Sequence, residues 1–150
     1  MQIGLLGTGN MAKGLASVFA AGGYDVTLGS RDAAKAKEIA KALGARVKGE
    51  GLAAAASKAD VVVLAVPFDA AAETIAAAGG LAGKILVDIS NPLTPDYMGL
   101  TVGHSTSAAE EIQKLAPKAN INWHAAICPS KPIPPTGSQT PACIARSRAT

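Results

Sequence analysis

Six residues near the start constrain this chain more than any others. Gly7-Thr8-Gly9-Asn10-Met11-Ala12 follow an apolar run, Gln2–Leu6, and open an amphipathic stretch, Asn10–Ala21. Between a strand and a helix, the G-x-G-x-x-G/A spacing carries a physical meaning. Gly7 permits the tight turn, Gly9 lets the backbone approach a pyrophosphate, and Ala12 allows helix and strand to pack closely. The pyrophosphate is then held by free N–H groups at the positive end of a helix. Met11, Leu15, Val18 and Phe19 fall on one face at helical spacing, which supports the helix.

The first two-thirds of the chain repeat this rhythm of short apolar runs and alanine-rich amphipathic stretches. Such alternation predicts an α/β fold of βαβ units, a doubly wound parallel sheet of the Rossmann type. Strands are expected at Gln2–Leu6, Asp25–Gly29, Ala45–Val47, Asp60–Val66 and Lys84–Ile89. The last two are dominated by the apolar runs Val61–Val66 and Ile85–Val87, as suits strands covered on both faces. Asp32 is placed to cap a helix Ala33–Leu43 that stops at Gly44, and Asp69 to cap one that runs to Ala78 before Gly79-Gly80. Ser107-Ala108-Ala109-Glu110 reads as a capping box for a helix reaching Pro117. The alanine runs Ala53–Ala56, Ala70–Ala72 and Ala76–Ala78 read as helix propensity and close packing.

From about Ala119 the character changes. Five of the nine prolines, both cysteines and the only Trp lie there, with a single Gly. The expected organisation is a dinucleotide-binding domain over 1–118 followed by an irregular tail over 119–150.

Charge and cysteine usage exclude several classes. The net charge is +3, yet up to Lys118 the 11 Lys/Arg are matched by 11 Asp/Glu. The excess sits on Lys131, Arg146 and Arg148, so no basic nucleic-acid face is indicated. Cys128 and Cys143, even with His124, lack any zinc-site spacing, and no metal site is expected. No apolar run is long enough for a membrane span. The start of the chain has no basic leader, which makes the cytoplasm the expected location.

The residues after the second strand discriminate between cofactors. An NAD site places an acid there to hold the ribose 2′-OH; this chain has Leu28-Gly29-Ser30-Arg31. Arg31 offers a planar fork matched to phosphate, Ser30 a hydroxyl donor, and Lys35 a second cation about one helical turn on. That set favours the 2′-phosphate of NADP(H). Asp32 is close enough to serve NAD instead, or simply to cap the helix. Val66-Pro67-Phe68 follows the fourth strand, at the edge where a doubly wound sheet places its ligand. Phe68 either walls the nicotinamide side of the cleft or belongs to the core. Asn91, in Ser90-Asn91-Pro92, either bonds a cofactor amide or makes an Asx turn. His104 either lines an acceptor pocket or is solvated. No nucleophile triad and no GxxxxGK[ST] phosphate loop occurs, and no catalytic residue is assigned. Direct hydride transfer fits that absence, since cofactor and acceptor then carry the chemistry.

Five segments together resemble the coenzyme F420-dependent NADP oxidoreductase family. They are Gly4–Ala12, Gly29-Ser30-Arg31, Val61–Phe68, Val87–Leu93 and Ser107–Ile112, in order and within residues 1–118. The glycine fingerprint is shared with many reductases, pyrroline-5-carboxylate reductases among them, whereas Gly-Ser-Arg with Asn-Pro-Leu is more particular. The resemblance implies reversible hydride transfer between NADPH and the deazaflavin ring of coenzyme F420. It implies that Thr8, Gly9, Asn10 and Met11 hold the pyrophosphate, that Ser30, Arg31 and Lys35 hold the 2′-phosphate, and that Pro67-Phe68 lies beside the nicotinamide. It also implies a small-molecule acceptor and commonly a homodimer. Two other readings are an NADPH-dependent reductase of a small imine or carbonyl and a catalytically silent NADP-binding module. Beyond Lys118 the match stops; a shifted frame or truncation is the expectation, which resequencing the gene around residue 120 tests.

Overall fold

The computed structural model describes residues 1–79, 81–94, 96, 98–102 and 106–123. Six parallel strands form one sheet: β1 Gln2–Leu6, β2 Asp25–Ser30, β3 Val47–Gly51, β4 Val61–Leu64, β5 Ile85–Asp88 and β6 Asn120–Trp123. Among the described residues, five α-helices connect them: α1 Asn10–Ala21, α2 Ala33–Leu43, α3 Leu52–Lys58, α4 Ala71–Ala77 and α5 Ala108–Leu115. The strand order is β3-β2-β1-β4-β5-β6. The chain winds outward from β1 to β3 and then returns to the far side of β1, which is the doubly wound Rossmann arrangement.

The period-2 alternation of the strands divides the core into two layers. Ile3, Leu5, Val26, Leu28 and Val63 face α1 and α2 with Ala12, Ala16 and Ala40. Leu6, Val62, Leu64 and Leu86 face the other way, against Ala55, Ala59, Ala71, Ile75 and Ile112. Small residues let the helices lie close. A Cβ built on Gly4 falls 2.8 Å from the Ala55 carbonyl oxygen, and one on Gly29 falls 2.9 Å from the Ala55 Cβ. The alanine runs supply the near-flat helix surfaces that such an approach needs.

The helix starts follow local chemistry. Asp32 Oδ1 accepts hydrogen bonds from the Ala34 and Lys35 N–H groups at 2.9 and 3.1 Å. The Ser107 hydroxyl accepts from Glu110 N–H at 3.2 Å, while Glu110 Oε2 accepts from Ser107 N–H at 2.9 Å, completing the capping box.

Four features depart most from the sequence reading. β3 runs Val47–Gly51 rather than Ala45–Val47: its polar, glycine-rich residues suit an edge strand, and Gly49 is required because a Cβ there would lie 2.2 Å from the Ala36 carbonyl carbon in α2. β4 stops at Leu64, two residues short of Val66. Asp69 does not cap the following helix: Phe68–Ala70 form a tight 3₁₀ turn after Pro67, and α4 begins without a side-chain cap. Pro67, at φ −55°, sets the chain turning early, so Asp69 lies inside the turn instead of ahead of it. Last, the sheet continues past residue 118, since Asn120–Trp123 pair in parallel with Ile85–Asp88. Backbone pairing to an existing edge recruited a strand from the segment read as irregular, where composition gave no sign of it.

Candidate functional site

A parallel sheet gathers the C-terminal ends of its strands on one edge. The order β2-β1-β4-β5 therefore sets Ser30-Arg31, the turn Gly7–Met11, the turn Val66–Phe68 and Asn91 side by side. The winding reverses between β1 and β4, and ligands of such sheets bind at that reversal.

Gly7 is fixed from both sides. Its N–H donates to the Gly29 carbonyl at 2.9 Å, and its φ of +130° is a conformation that favours glycine. A Cβ at this position would lie 2.3 Å from the Ala65 carbonyl oxygen. The turn is thus wedged between the ends of β2 and β4. Gly9 is different. Its backbone, φ −71° and ψ −178°, suits any residue, and no atom lies within 4 Å of the position its Cβ would take. Nothing in the fold asks for glycine there. Gly9 is also the N-cap of α1, and that helix end has neither a side-chain hydrogen bond nor an acidic residue in its first turn. Open space over Gly9 and uncapped N–H groups at a positive helix end fit a pyrophosphate.

The end of β2 carries the second part. Ser30 Oγ accepts from the Asp32 N–H at 3.2 Å, leaving its own O–H to donate. Asp32 spends its carboxylate on the α2 cap, the blander of its two expected roles. Arg31 is exposed, and its Nη1 lies 3.2 and 3.3 Å from Oε1 and Oε2 of Glu73 in α4. Lys35 is exposed in the first turn of α2, and no ion pair among the described residues involves it.

On the β4 side, Val66 and Phe68 are partly buried and pack on the core layer that contains Leu64 and Ile75. Phe68 therefore serves the core while standing next to the turn. Beyond β5, the Asx turn belongs to Asp88, whose Oδ1 accepts from Ser90 N–H at 2.8 Å. Asn91 is exposed, and its side chain makes no hydrogen bond among the described residues. Ser90 Oγ is buried beside it without a partner among the described residues. His104 lies outside the described residues. The Arg31–Glu73 pair was not legible in the sequence, because nothing there ties the two residues together across 42 positions.

The carboxylates with shifted acidity are local. The Ser107 N–H, and after it the Thr106 hydroxyl, hold Glu110 below its ordinary value. The Lys114 ammonium does the same for Glu111, and the Thr94 hydroxyl for Asp96. Among the described residues no cluster of His, Cys, Asp and Glu could hold a metal, and no helix is long and apolar enough to cross a membrane. A shallow groove of about 820 Å³, with Lys37, Lys41, Lys48 and Glu50 in its lining, runs between α2 and the β3 edge, away from the reversal point.

Comparison with known proteins agrees with this architecture. The chain is 39% identical over 128 residues to the F420-dependent NADP reductase of Methanothermobacter marburgensis, covering 77% of this chain and 57% of that protein. The crystal structure of a proposed F420-dependent NADP reductase from an Arthrobacter species superposes with a TM-score of 0.73 at 33% identity, over 81% of this chain and 60% of that one. An imine reductase of Streptomyces aurantiacus superposes with a TM-score of 0.56 at 26% identity, over 79% of this chain and 39% of that one. The chain thus spans somewhat more than half the length of the F420-dependent relatives. The family described as NADP oxidoreductase, coenzyme F420-dependent, matches residues 2–92, and this chain belongs to that family.

Proposed function

We propose that this chain is the NADP(H)-binding part of an oxidoreductase that moves hydride between NADPH and a deazaflavin acceptor of the coenzyme F420 type. The observation that carries the reading is the pairing of an uncapped helix end behind Gly7–Gly9 with a guanidinium at the end of the neighbouring strand. Thr8, Gly9, Asn10 and Met11 hold the pyrophosphate, and Ser30, Arg31 and Lys35 hold the 2′-phosphate. Val66, Pro67, Phe68 and Asn91 flank the nicotinamide end. When bound, the nicotinamide supplies the hydride; the chain's own residues bind, orient and exclude water. The dinucleotide-binding domain, drawn at 1–118 from sequence, takes in β6 on this reading. Its partner is a small molecule, its location the cytoplasm, and its assembly a homodimer like that implied by the family resemblance.

The test is a titration of NADPH and NADH, with Arg31→Ala beside the wild type. The substitution removes charge-assisted hydrogen bonds worth about 1.5–3 kcal/mol, so NADPH weakens by about 10- to 150-fold while NADH barely changes. Equal losses for the two nucleotides contradict the 2′-phosphate assignment. Turnover is then followed as NADPH oxidation against deazaflavin, flavin and cyclic imine acceptors. The likeness to an imine reductase structure makes imine reduction the second reading. Turnover with imines alone selects it, and tight binding without any turnover selects a silent NADP-binding module.

A further inference from the structure

The Arg31–Glu73 ion pair is placed unusually for a surface pair. Arg31 follows β2 and Glu73 lies in α4 after β4, with β1 between those strands. The pair therefore spans from one side of the Gly7–Gly9 turn to the other, at the adenosine end of the crevice. Glu73 offers both carboxylate oxygens to the same Nη1, at 3.2 and 3.3 Å, and neither oxygen has another partner among the described residues. The side chains are 72% and 65% exposed, so the pair is solvated and readily exchanged. A carboxylate on this guanidinium presents the same chemistry as a phosphate oxygen: anionic acceptors facing planar N–H donors.

We propose that Glu73 is a specificity-determining residue that competes with the 2′-phosphate of NADP(H) for Arg31. The inference rests on the proposed NADP(H) site. Binding of NADPH exchanges one anion for another on Arg31, releasing Glu73 to water. NADH has no phosphate to make that exchange and leaves the pair closed. Glu73 thus lowers NADPH affinity without affecting NADH, which keeps the nucleotide from being held too tightly to leave.

The experiment is calorimetric titration of the full chain with NADPH and with NADH, for wild type, Glu73→Gln, Arg31→Ala and the double variant. Glu73→Gln keeps the side chain's size and removes its charge. NADPH then binds about two- to fivefold tighter, the range of an exposed ion pair, and NADH changes by less than about twofold. On the Arg31→Ala background the gain disappears, because the competition runs through Arg31. An unchanged or weakened NADPH affinity in Glu73→Gln overturns the proposal, as does an equal gain for NADH. A gain that persists without Arg31 also overturns it, since it reveals simple repulsion. If the wild type binds neither nucleotide, the NADP(H) reading itself fails and this inference falls with it. Thermal unfolding without nucleotide accompanies each titration to confirm that all four proteins are folded.

Discussion

Gly9→Ala separates the fold from the site. The new methyl enters space with no atom within 4 Å, on backbone at φ −71° that any residue adopts. Removing glycine's freedom in the unfolded chain favours the variant by about 0.4–1 kcal/mol. Alanine is a poorer N-cap than glycine by a similar amount, about 0.5–1 kcal/mol. The two offset, so the unfolding midpoint moves by less than about 2 °C. Binding has no such compensation. The methyl stands between a pyrophosphate and the uncapped N–H groups of α1, and losing those charge-assisted bonds costs about 1.5–3 kcal/mol. That is a loss of about 10- to 150-fold in affinity for NADPH and NADH alike, because both carry the pyrophosphate. Thermal unfolding without nucleotide and calorimetric titration with each nucleotide check the two halves. Wild-type affinity in the variant would mean that no pyrophosphate passes over Gly9, and the site as drawn here would be refuted.

Gly7→Ala should do the opposite: its φ of +130° and the 2.3 Å approach to the Ala65 oxygen make it destabilising by about 2–4 kcal/mol, read as a lower denaturant midpoint, and an unmoved midpoint refutes the wedged turn. Asp32→Ala deprives two N–H groups of their acceptor and costs about 1 kcal/mol of stability with nucleotide preference intact; a selective fall in NADH affinity would instead make Asp32 a ribose ligand. Glu110 has a folded pKa below its ordinary value of 4.5, so its contribution is present above that value and is lost as pH falls through the lower folded one. Glu110→Gln should flatten the acid side of the stability curve, and identical acid slopes for the two proteins count against the capping box.

Much of the molecule could be read from short-range chemistry. Helix α1 and the caps at Asp32 and Ser107 follow from residues within a few positions of one another, and the apolar runs of β1, β4 and β5 declare themselves through composition. What escaped reading depends on distant partners. Lys48-Gly49-Glu50-Gly51 resembles a polar turn until the α2 backbone is seen pressing on Gly49. Asn120–Trp123 becomes a strand because β5 offers an open edge. In the candidate site, the glycine turn and Ser30-Arg31 were legible as motifs because each is contiguous. Glu73 was not, since its meaning comes only from the strand order that carries α4 over to Arg31. Asn91 was offered two roles, and the turn went to its neighbour Asp88.

The hydrogen bond from the Gly7 amide to the Gly29 carbonyl has a bearing on how such a site can change over time. It is a main-chain ruler: whatever side chains occupy positions 30, 31 and 35, the span from the Gly7–Gly9 turn to the end of β2 stays the same. On the proposed site, selectivity between the two nicotinamide dinucleotides can therefore be rewritten by a few surface substitutions while the glycine turn is left alone, and the cofactor's reactive end keeps its aim.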